Sequence, residues 1–383
     1  MKILVVDHNA ILAADRGLYR ALDGMDGLEL ALVIPLHWKE RWGNFYFERE
    51  EGNLQVYGSR NIFAGRSHRA IYFSLWNRLE DFHPDVIYVN SEPEGYLAWQ
   101  AVVLRDLKCK NAKVIFESWR NIDYTDGEFP YKLAWTHAMV ERSVLSAADH
   151  CIVRNQPAKE ILSRKGFYNT TVIPAAVDTS VFKKLKDKTI TAKFRLKEFA
   201  IGYIGRFIDE KGIDVLLQAS KMLEFGYQIL LVGDGPAKSR LMELAKELGI
   251  NDRIVWGGPV QHSEIPAYLN ALDVLVLPSR AGRMWKEQFG RILIEAMACG
   301  VPVIGSASGE IPKVIADAGL VFKEEDPHAL AMGLQELHSD AHLRSQLSEK
   351  GLDRVERLFS LSRVSKQYYE VFRSLLPQSN HVP

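Results

Sequence analysis

The sequence predicts an α/β protein that contains two doubly wound parallel sheets. Short β-branched apolar runs such as Lys2–Val6 have the composition of buried parallel strands. Helix-like segments alternate with these runs, as they do in βαβ units. The alternation pauses once, in the lysine-rich segment Val177–Lys197, and starts again at Ala200. This single pause indicates two successive sheets of similar design.

The strand and helix candidates follow one another along the whole chain. In the first half the strands are Lys2–Val6, Leu28–Ile34, Val86–Val89, Val114–Phe116, Cys151–Val153 and Thr171–Ile173, and the helices are Gly17–Leu22, Tyr72–Glu80, Tyr96–Leu107 and Ala134–Ser146. In the second half the strands are Ala200–Ile204, Gln228–Val232, Ile254–Val255, Asp273–Leu277, Val301–Ile304 and Leu320–Phe322. Gly290 opens a helix over Arg291–Cys299, which Gly300 and Pro302 end.

These elements predict two Rossmann-like domains, over residues 1–175 and 176–361. A last helix candidate, Ser362–Leu375, follows the strands of the second sheet, and we expect the segment of about 362–383 to cross back onto the first domain. In open α/β sheets, ligands bind beyond the carboxyl ends of the strands. The central cleft between two facing domains is therefore the predicted active site.

Composition narrows the class of protein. The chain of 383 residues is 47% hydrophobic and 25% charged, which is typical of a soluble globular protein. Its formal net charge of zero gives no support to nucleic-acid binding. Three isolated cysteines without C-x-x-C spacing favour a reducing compartment over a disulfide framework or a zinc site. Without a long apolar run, we expect a cytoplasmic protein, with docking on a membrane left open.

The stretch from Trp285 to Ile304 carries the strongest chemical signal. Glu287 lies on a loop and Glu295 lies inside the following helix, which begins after Gly290. The free amides and the positive dipole end of a helix bind anions, and two carboxylates suit the hydroxyls of a ribose and a sugar. The stretch indicates a pocket for a sugar nucleotide. The alternative is that the carboxylates only complement the helix dipole and the helix only packs.

Basic residues follow the first strand of the second half. Gly205 and Arg206 come directly after that strand, and Lys211 precedes a helix that starts near Gly212. Cations at the mouth of a parallel sheet can neutralise a diphosphate. The alternative is a pair of exposed ion pairs, Arg206 with Asp209 or Lys211 with Glu210, which contribute little.

Glycine turns follow the next two strands. Gly233, and Gly258 with Val260, stand where a backbone can approach a ligand, although a tight turn alone explains them equally well. The first strand of the chain runs into Asp7-His-Asn-Ala, without a glycine loop. This sequence argues against a nicotinamide dehydrogenase.

Charged residues also end two strands of the first half. Glu92, Glu94, Glu117 and Arg120 are candidates for binding an acceptor, or else they cap the helices that follow. The segments His37–Phe47 and Arg60–Arg69 mix aromatic and basic residues. Such mixtures suit a membrane interface, an anionic lipid or a glycan acceptor. The alternative is a mobile loop with a few buried rings.

Four stretches in one order are together more specific than any one of them. They are Val172–Asp178 with Phe182, Gly205–Phe207 with Lys211 and Gly212, Val232–Pro236, and the block from Tyr268 to Val303. With these stretches the sequence resembles the retaining glycosyltransferases of the GT-B fold, in glycosyltransferase family 4. The resemblance covers about residues 170–325 and is only general in the first half.

The resemblance implies roles for individual residues. The second domain would bind a nucleotide-sugar donor and the first an acceptor. Arg206 and Lys211 would bind the diphosphate, Glu287 would contact the donor sugar, and Glu295 would hold the ribose hydroxyls. The remaining donor-binding candidates are Gly205, Gly233, Gly258, Val260, Gln288, Phe289, Gly290 and Arg291.

Three features depart from the family pattern. The glycine-rich loop after the first strand is absent, and an insert, Ala281–Lys286, precedes Glu287. Many members have a histidine about where Trp119 stands, so Trp119 joins the acceptor-side candidates.

The function implied by this resemblance is transfer of a sugar, with retention of anomeric configuration, to a hydroxyl of a glycan, a lipid-linked molecule or a small molecule. Arg206, Lys211 and Glu287 are the predicted catalytic residues, with no metal and no cofactor other than the donor substrate. The expected setting is polysaccharide biosynthesis in the cytoplasm, with peripheral contact at the inner face of the membrane. The alternatives are a GT-B-fold epimerase or phosphorylase, and a non-catalytic module that binds sugar nucleotides or membranes.

Overall fold

The computed structural model describes residues 1–40, 43–124 and 129–377. Arg41 and Trp42, which belong to the aromatic and basic segment His37–Phe47, lie outside the described residues, as do residues 378–383 of the predicted C-terminal segment. The chain forms two compact units. The first comprises Met1–Pro174 with Leu361–Pro383, and the second comprises Ala175–Ser360.

The first unit contains a seven-stranded sheet in which all strands are parallel. The unit has further strands outside this sheet, since β3 pairs with β4 and β6 pairs with β7. All strands of the unit, in chain order, are β1 Lys2–Val6, β2 Glu29–Pro35, β3 His37–Glu40, β4 Gly43–Tyr46, β5 Gln55–Ser59, β6 Asn61–Ile62, β7 Ile71–Tyr72, β8 Val86–Val89, β9 Lys113–Ser118, β10 His150–Val153 and β11 Thr170–Val172. Its helices are α1 Gly17–Asp23, α2 Leu75–Phe82, α3 Tyr96–Lys108, α4 Ala134–Ala147 and α5 Gln156–Arg164, together with the C-terminal helix Leu361–Ser374.

The second unit contains a six-stranded sheet, also with every strand parallel. Its elements are α6 Thr189–Phe194, β12 Phe199–Ile204, α7 Ile213–Ser220, β13 Tyr227–Val232, α8 Lys238–Glu247, β14 Ile254–Gly258, α9 Ile265–Leu269, β15 Val274–Leu277, α10 Arg291–Ala298, β16 Val303–Ser306, α11 Ile311–Ile315, β17 Gly319–Phe322, α12 Pro327–Ser339 and α13 Ala341–Arg354, followed by a π-helical turn, Val355–Phe359. The C-terminal helix of the first unit is α14.

The strand order shows where each sheet reverses its direction of winding. The first sheet has the order β11-β10-β9-β8-β1-β2-β5 and the second β14-β13-β12-β15-β16-β17. In both, the chain winds outward in one direction from the first strand and then in the other. The order therefore reverses between β1 and β8 in the first unit and between β12 and β15 in the second. Ligands of doubly wound sheets bind at such reversals.

The predicted α/β class with two parallel sheets is confirmed, and every predicted strand is present. The strands are buried on both faces, as in Leu30–Ile34 and Val274–Leu277, which explains their continuous apolar sequences. One helix prediction was wrong at its start. The helix predicted over Tyr72–Glu80 begins at Leu75, because Ile71 and Tyr72 pair with Asn61 and Ile62 in a short antiparallel ribbon.

The C-terminal helix is attached to the first unit by a buried polar network. Helix α14 packs against α1, and the Tyr369 hydroxyl donates to the carbonyl oxygen of Asp26 at 3.2 Å. The Tyr368 hydroxyl donates to Glu117 Oε2 at 3.0 Å. Arg154 donates from Nε to Glu117 Oε1 at 2.7 Å and from Nη2 to Glu117 Oε2 at 2.9 Å. Its Nη1 donates to the carbonyl oxygen of Pro174 at 3.0 Å. The Glu117–Arg154 pair therefore joins the sheet, α14 and the end of the first chain segment.

We expect Arg154→Leu to destabilise the protein by about 3–5 kcal/mol, because it leaves the carboxylate of Glu117 buried without its charge partner. The control is Arg357→Ala, since Arg357 and Asp353 form an exposed pair that contributes ~0.5 kcal/mol at most. Urea unfolding followed by circular dichroism measures both variants. Equal losses of stability in the two variants would contradict the role assigned to Arg154.

Candidate functional site

The loops of the second unit converge where its strand order reverses. Lys211 lies on the loop after β12, and Glu287 lies on the loop after β15. A Cβ at Gly212 would lie 2.0 Å from the carbonyl oxygen of Pro278, and a Cβ at Gly309 would lie 2.0 Å from that of Glu287. Only glycine permits these backbone contacts. They bring the loops after β12, β15 and β16 together at Glu287.

Glu287 is a buried carboxylate with two described partners on one oxygen. Lys211 Nζ donates to Glu287 Oε2 at 2.5 Å, and the Ser279 hydroxyl donates to the same oxygen at 2.9 Å. The ammonium group of Lys211 also lies 5.1 Å from the centre of the Trp285 ring. Lys211 thus pairs with Glu287 and not with its neighbour Glu210, which was the predicted alternative for this lysine. A partly buried cation and a buried carboxylate thus lie together at the reversal.

Arg206 lies at the same edge as this pair. Burial raises the pKa of Tyr203 well above its usual value, the charge of Glu287 raises it further, and the charge of Arg206 lowers it. The Tyr203 hydroxyl also donates to the backbone oxygen of Arg206 at 2.8 Å. One buried phenol therefore experiences both the arginine and the carboxylate. The guanidinium of Arg206 itself is on an exposed residue.

The glycine turns of the second unit support one another. The amide of Gly205 donates to the carbonyl of Val232, and the amide of Gly233 donates to the carbonyl of Gly258, both at 2.9 Å. Gly233 has φ of +136°, and a Cβ there would lie 1.9 Å from the carbonyl oxygen of Gly205. The close approach of the Gly205 backbone therefore explains why residue 233 is a glycine, without any ligand. Val260 follows on the same segment and is partly exposed.

Helix α10 carries the remaining donor-side candidates. Gly290 precedes it with φ of +83°, and Glu295 is buried within it. The Phe289 ring is buried against Phe359, at 5.7 Å between ring centres, while Gln288 is exposed. The side chain of Phe289 thus belongs to the core, which leaves its backbone as the part that can reach a ligand.

Glu295 is held by two basic side chains. Arg291 Nε donates to Glu295 Oε1 at 3.0 Å, and His262 Nε2 lies 2.9 Å from the same oxygen. His262 Nε2 also lies 2.9 Å from Nη2 of Arg291. One ring nitrogen cannot donate to the carboxylate and accept from the guanidinium at the same time. The arrangement therefore leaves one of the three contacts unsatisfied in either tautomer of His262.

His262 and Ser279 were missed by the sequence analysis as functional residues. His262 contacts Glu295, which lies 33 residues away in the sequence, and Ser279 contacts Glu287, which lies 8 residues away. His262 also packs its ring 5.2 Å from that of Phe182, a residue of the motif stretches. The signal available for Ser279 was its position directly after the Leu277-Pro278 end of a buried strand. No local pattern around His262 distinguishes it.

In the first unit, two groups of charged residues lie at the ends of β8 and β9. Glu92 accepts from the amide of Trp119 at 2.7 Å and from the Ser118 hydroxyl at 2.6 Å. Arg120 forms ion pairs with Glu94 and with Glu141, the latter at 2.8 Å. The predicted alternative of helix capping is wrong for Glu94, because the N-cap residue of α3 is Gly95 and no side chain caps the helix.

Trp119 and Glu117 contact each other and belong to the network of α14. Trp119 Nε1 donates to Glu117 Oε1 at 2.6 Å, and the guanidinium of Arg154 lies 4.8 Å from the centre of the indole ring. The acceptor-side candidates therefore divide between two clusters, with Glu92, Glu117 and Trp119 in one and Arg120 with Glu94 in the other. Trp119 links Glu92 to Glu117.

An aspartate follows β1, where the resemblance leads one to expect a glycine-rich loop. Asp7 accepts from the Tyr19 hydroxyl at 2.6 Å and from the amide of Asn9 at 2.8 Å. The carboxylate of Asp7 thus shapes the turn that follows β1. Burial lowers the pKa of His8, whose ring lies 4.7 Å from that of Trp38.

Comparison with known proteins identifies the family. Residues 186–354 match the family model described as glycosyl transferases group 1. The matched residues all lie within the second unit. The chain is 28% identical over 249 residues to an N-acetyl-alpha-D-glucosaminyl L-malate synthase of Bacillus anthracis, which covers 62% of this chain and 61% of the relative. It is 27% identical over 315 residues to a D-inositol 3-phosphate glycosyltransferase of Salinispora tropica, which covers 76% of this chain and 64% of the relative. The match thus spans less than two thirds of the length of each of these two relatives.

Solved structures show the same fold. A sucrose-phosphate synthase of Thermosynechococcus elongatus matches with a TM-score of 0.71 and 24% identity, over 98% of this chain and 99% of the other. HepE of Anabaena in complex with UDP matches with a TM-score of 0.74 and 17% identity, over 98% of this chain and 100% of the other. The GT-B fold predicted from the resemblance is therefore confirmed.

The first unit carries a titratable carboxylate at the end of β8. Burial, and then the charge of Glu94, raise the pKa of Glu92 to about 7 against the opposing charge of Arg120. Because the pKa in the folded state exceeds the usual value, folding favours the protonated form. Stability from this group is complete below about pH 4 and is lost as the pH rises through about 7.

We expect Glu92→Gln to become more stable relative to the wild type as the pH rises from about 5 to about 8, by on the order of 1–3 kcal/mol. The difference in melting temperature between variant and wild type at the two pH values measures this. Glu160→Gln, at an exposed position of α5, controls for loss of a negative charge. A difference for Glu92→Gln that stays constant or falls with pH refutes the assignment.

Proposed function

We propose that the protein transfers a sugar from a nucleoside diphosphate sugar to an acceptor hydroxyl, with retention of anomeric configuration and without a metal ion. The observation that carries this proposal is the Lys211–Glu287 pair at the strand-order reversal of the second sheet. The match of the second unit to the glycosyl transferases group 1 model supports transfer of a glycosyl group. The UDP bound in the HepE structure supports a nucleoside diphosphate as the donor's leaving group.

The chemistry follows from where charge develops. When the glycosidic bond to the diphosphate breaks, negative charge collects on the leaving oxygen. Arg206 and Lys211 are the cations at the end of β12 that would stabilise it, with the amides that begin α10 as further donors. Glu287 would hold the donor sugar while Ser279 and Lys211 fix its carboxylate.

Retention is proposed from the resemblance to retaining glycosyltransferases, and attack from the side of the leaving group is proposed because the carboxylate at this edge is already engaged. Glu287 is already bonded to Lys211 and Ser279. The acceptor would attack from the side of the leaving group and pass its proton to a diphosphate oxygen. Glu295, held by Arg291 and His262, would receive the ribose hydroxyls, and these hydroxyls would replace the contact that the His262 tautomer leaves unsatisfied.

The acceptor side is assigned to the first unit, with Glu92, Glu117, Trp119 and Arg120 as candidates, and the acceptor is proposed to be a glycan, a lipid-linked molecule or a small molecule. Among residues 1–40, 43–124 and 129–377, no helix has both the length and the apolarity needed to cross a membrane. The same residues contain no group of three histidine, cysteine, aspartate or glutamate side chains placed to hold a metal ion. We propose a cytoplasmic enzyme of polysaccharide biosynthesis that contacts the inner face of the membrane.

We expect Arg206→Ala to lower turnover by about 10²–10³-fold, because one preorganised charge at the leaving diphosphate is lost. Arg363→Ala, at an exposed position of α14, is the matched control and should retain full activity. Steady-state kinetics with a saturating donor measures both. Turnover of Arg206→Ala within about threefold of the wild type would count against the assignment.

The function is tested by identifying the donor and then the product. We expect one of UDP, GDP or ADP, or its sugar, to raise the melting temperature, because a ligand at about 100 times its dissociation constant adds ~2.7 kcal/mol of stability. Proton NMR of the reaction with that donor should give a product with the donor's anomeric configuration, and excess EDTA should leave the rate unchanged. A product of inverted configuration removes the retaining mechanism.

Other products would assign another function. Free epimerised sugar indicates an epimerase, and dependence on inorganic phosphate indicates a phosphorylase. Donor binding without any turnover of donor indicates a non-catalytic module.

A further inference from the structure

Helix α4 of the first unit buries two titratable side chains and exposes two large apolar ones. His137, Ala138, Glu141 and Val144 are buried, and two of these four are titratable. Trp135 and Met139, by contrast, are 63% and 60% exposed. A helix on the surface of a water-soluble protein has the opposite arrangement. The outward face of α4 is therefore suited to an environment other than bulk water.

The inward polar residues of α4 have a structural reason. Glu141 forms ion pairs with Arg120 at 2.8 Å and with Lys165 at 2.7 Å, and His137 Nδ1 lies 2.9 Å from the carbonyl oxygen of Glu94. These contacts fix the rotation of the helix. The exposure of Trp135 and Met139 then follows from that rotation and is not a local irregularity.

Cations lie on the same face. Trp135, Met139 and Arg142 are spaced i, i+4 and i+7, so they project from one side of the helix. Lys132 stands just before the helix and is exposed, as is Leu133 with 54% exposure. One side of α4 thus presents two large apolar side chains, with a cation at each end.

A second segment extends this surface. The His68 ring stacks on that of Tyr131, at 4.0 Å between ring centres, and this contact joins residues 60–73 to the start of α4. Phe73 of that segment is 60% exposed, and Ile62 and Phe63 are each 39% exposed. We call residues 60–73 and 131–142 together the basic aromatic surface.

The charge of the basic aromatic surface has one sign. Its exposed charged residues are all basic: Arg60, Arg66, Lys132 and Arg142. The described ion pairs of neighbouring segments, Arg78 with Asp81 and Arg164 with Asp123, involve none of these four residues. The one acidic residue within the surface is Glu141, which is buried and neutralised. In a chain with formal net charge zero, this is a local excess of positive charge.

We propose that the basic aromatic surface is a docking site for the anionic headgroups and upper acyl region of a lipid bilayer. Tryptophan is enriched at the boundary between headgroups and hydrocarbon, and basic side chains beside it attract anionic lipids. A second copy of the chain fits less well, because a two-fold contact places the same patch on both sides and opposes cation to cation. The proposal deepens the membrane contact given under the proposed function and assigns it to named residues.

The test is co-flotation of the purified full-length protein with vesicles, in the absence of donor and acceptor. Vesicles of phosphatidylcholine mixed with phosphatidylglycerol should carry the protein at low salt, and vesicles of phosphatidylcholine alone should carry much less. High salt should release most of the bound protein, because it screens exposed charges, and should leave bound the fraction that is held by apolar contacts. Since no turnover is measured, failure of the proposed glycosyl transfer leaves this result unaffected.

Variants locate the surface. Lys132→Glu should lower the partition coefficient about 25-fold, because it removes one attracted charge and adds one repelled charge at about fivefold each. Trp135→Ser with Met139→Ser should abolish binding that resists high salt. The matched controls lie on the second unit: Lys246→Glu at an exposed lysine of α8, and Met332→Ser at a methionine of α12 that is 63% exposed. Both controls should bind as the wild type does.

Three outcomes overturn the proposal. The first is wild-type protein that does not float with anionic vesicles at low salt. The second is equal loss of binding in the Lys132→Glu and Lys246→Glu variants, which assigns the effect to net charge. The third is a dimer in light scattering that the Trp135→Ser variant loses while no vesicle binding occurs, which assigns the surface to self-association. Circular dichroism confirms that each variant is folded, and the salt dependence of the wild type tests the proposal without any variant.

Discussion

The contact between the backbones of Gly212 and Pro278 determines how the edge of the second sheet is assembled. Because residue 212 lacks a side chain, the loop after β12 can lie directly on the end of β15. Lys211 is adjacent to this contact, so its ammonium group is delivered to a carboxylate 76 residues further along the chain. The same device recurs at Gly309, where a third loop rests on the carbonyl of Glu287. Close packing of three loops, and not the ion pair itself, sets the position of the charges.

The buried carboxylates of the two units differ in how many hydrogen-bond donors they have. In the second unit, the buried carboxylates Glu287 and Glu295 each have a cation and a neutral donor or a ring nitrogen on a single oxygen. In the first unit, Glu117 receives five donor contacts from four side chains, which consumes both of its oxygens. A carboxylate so fully engaged is expensive to redirect toward a ligand. Glu117 is for this reason a stronger candidate for holding α14 than for binding an acceptor.

The elements that the sequence predicted best are the strands that are buried on both faces of their sheet. The strands of both sheets are covered on both faces and therefore read as continuous apolar runs, which is why nearly all of them were predicted. Strand β5 was not, because Gln55-Val-Tyr-Gly-Ser lies at the edge of its sheet and keeps polar residues. Helix α6 was also missed, since it lies within the lysine-rich segment and only Ile190 is buried. For the site, residue types and order predicted Arg206, Lys211, Glu287 and Glu295 as one set, but not their partners Ser279 and His262. Ser279 and His262 reach the two glutamates because of how the loops pack, and loop packing produces no periodic pattern in the sequence.

The position of α14 has a consequence for biosynthesis. This helix completes the first unit, yet the ribosome makes it only after the whole second unit has been translated. Until then the cavity that Tyr368 and Phe372 fill stays open, and the Glu117–Arg154 pair lacks its cover. The second unit is continuous in the chain and can complete its own core while the first waits. The nascent first unit therefore exposes an apolar groove for the time that about 190 residues take to emerge, at roughly 5–20 residues per second, and this interval is when the chain most needs protection from aggregation.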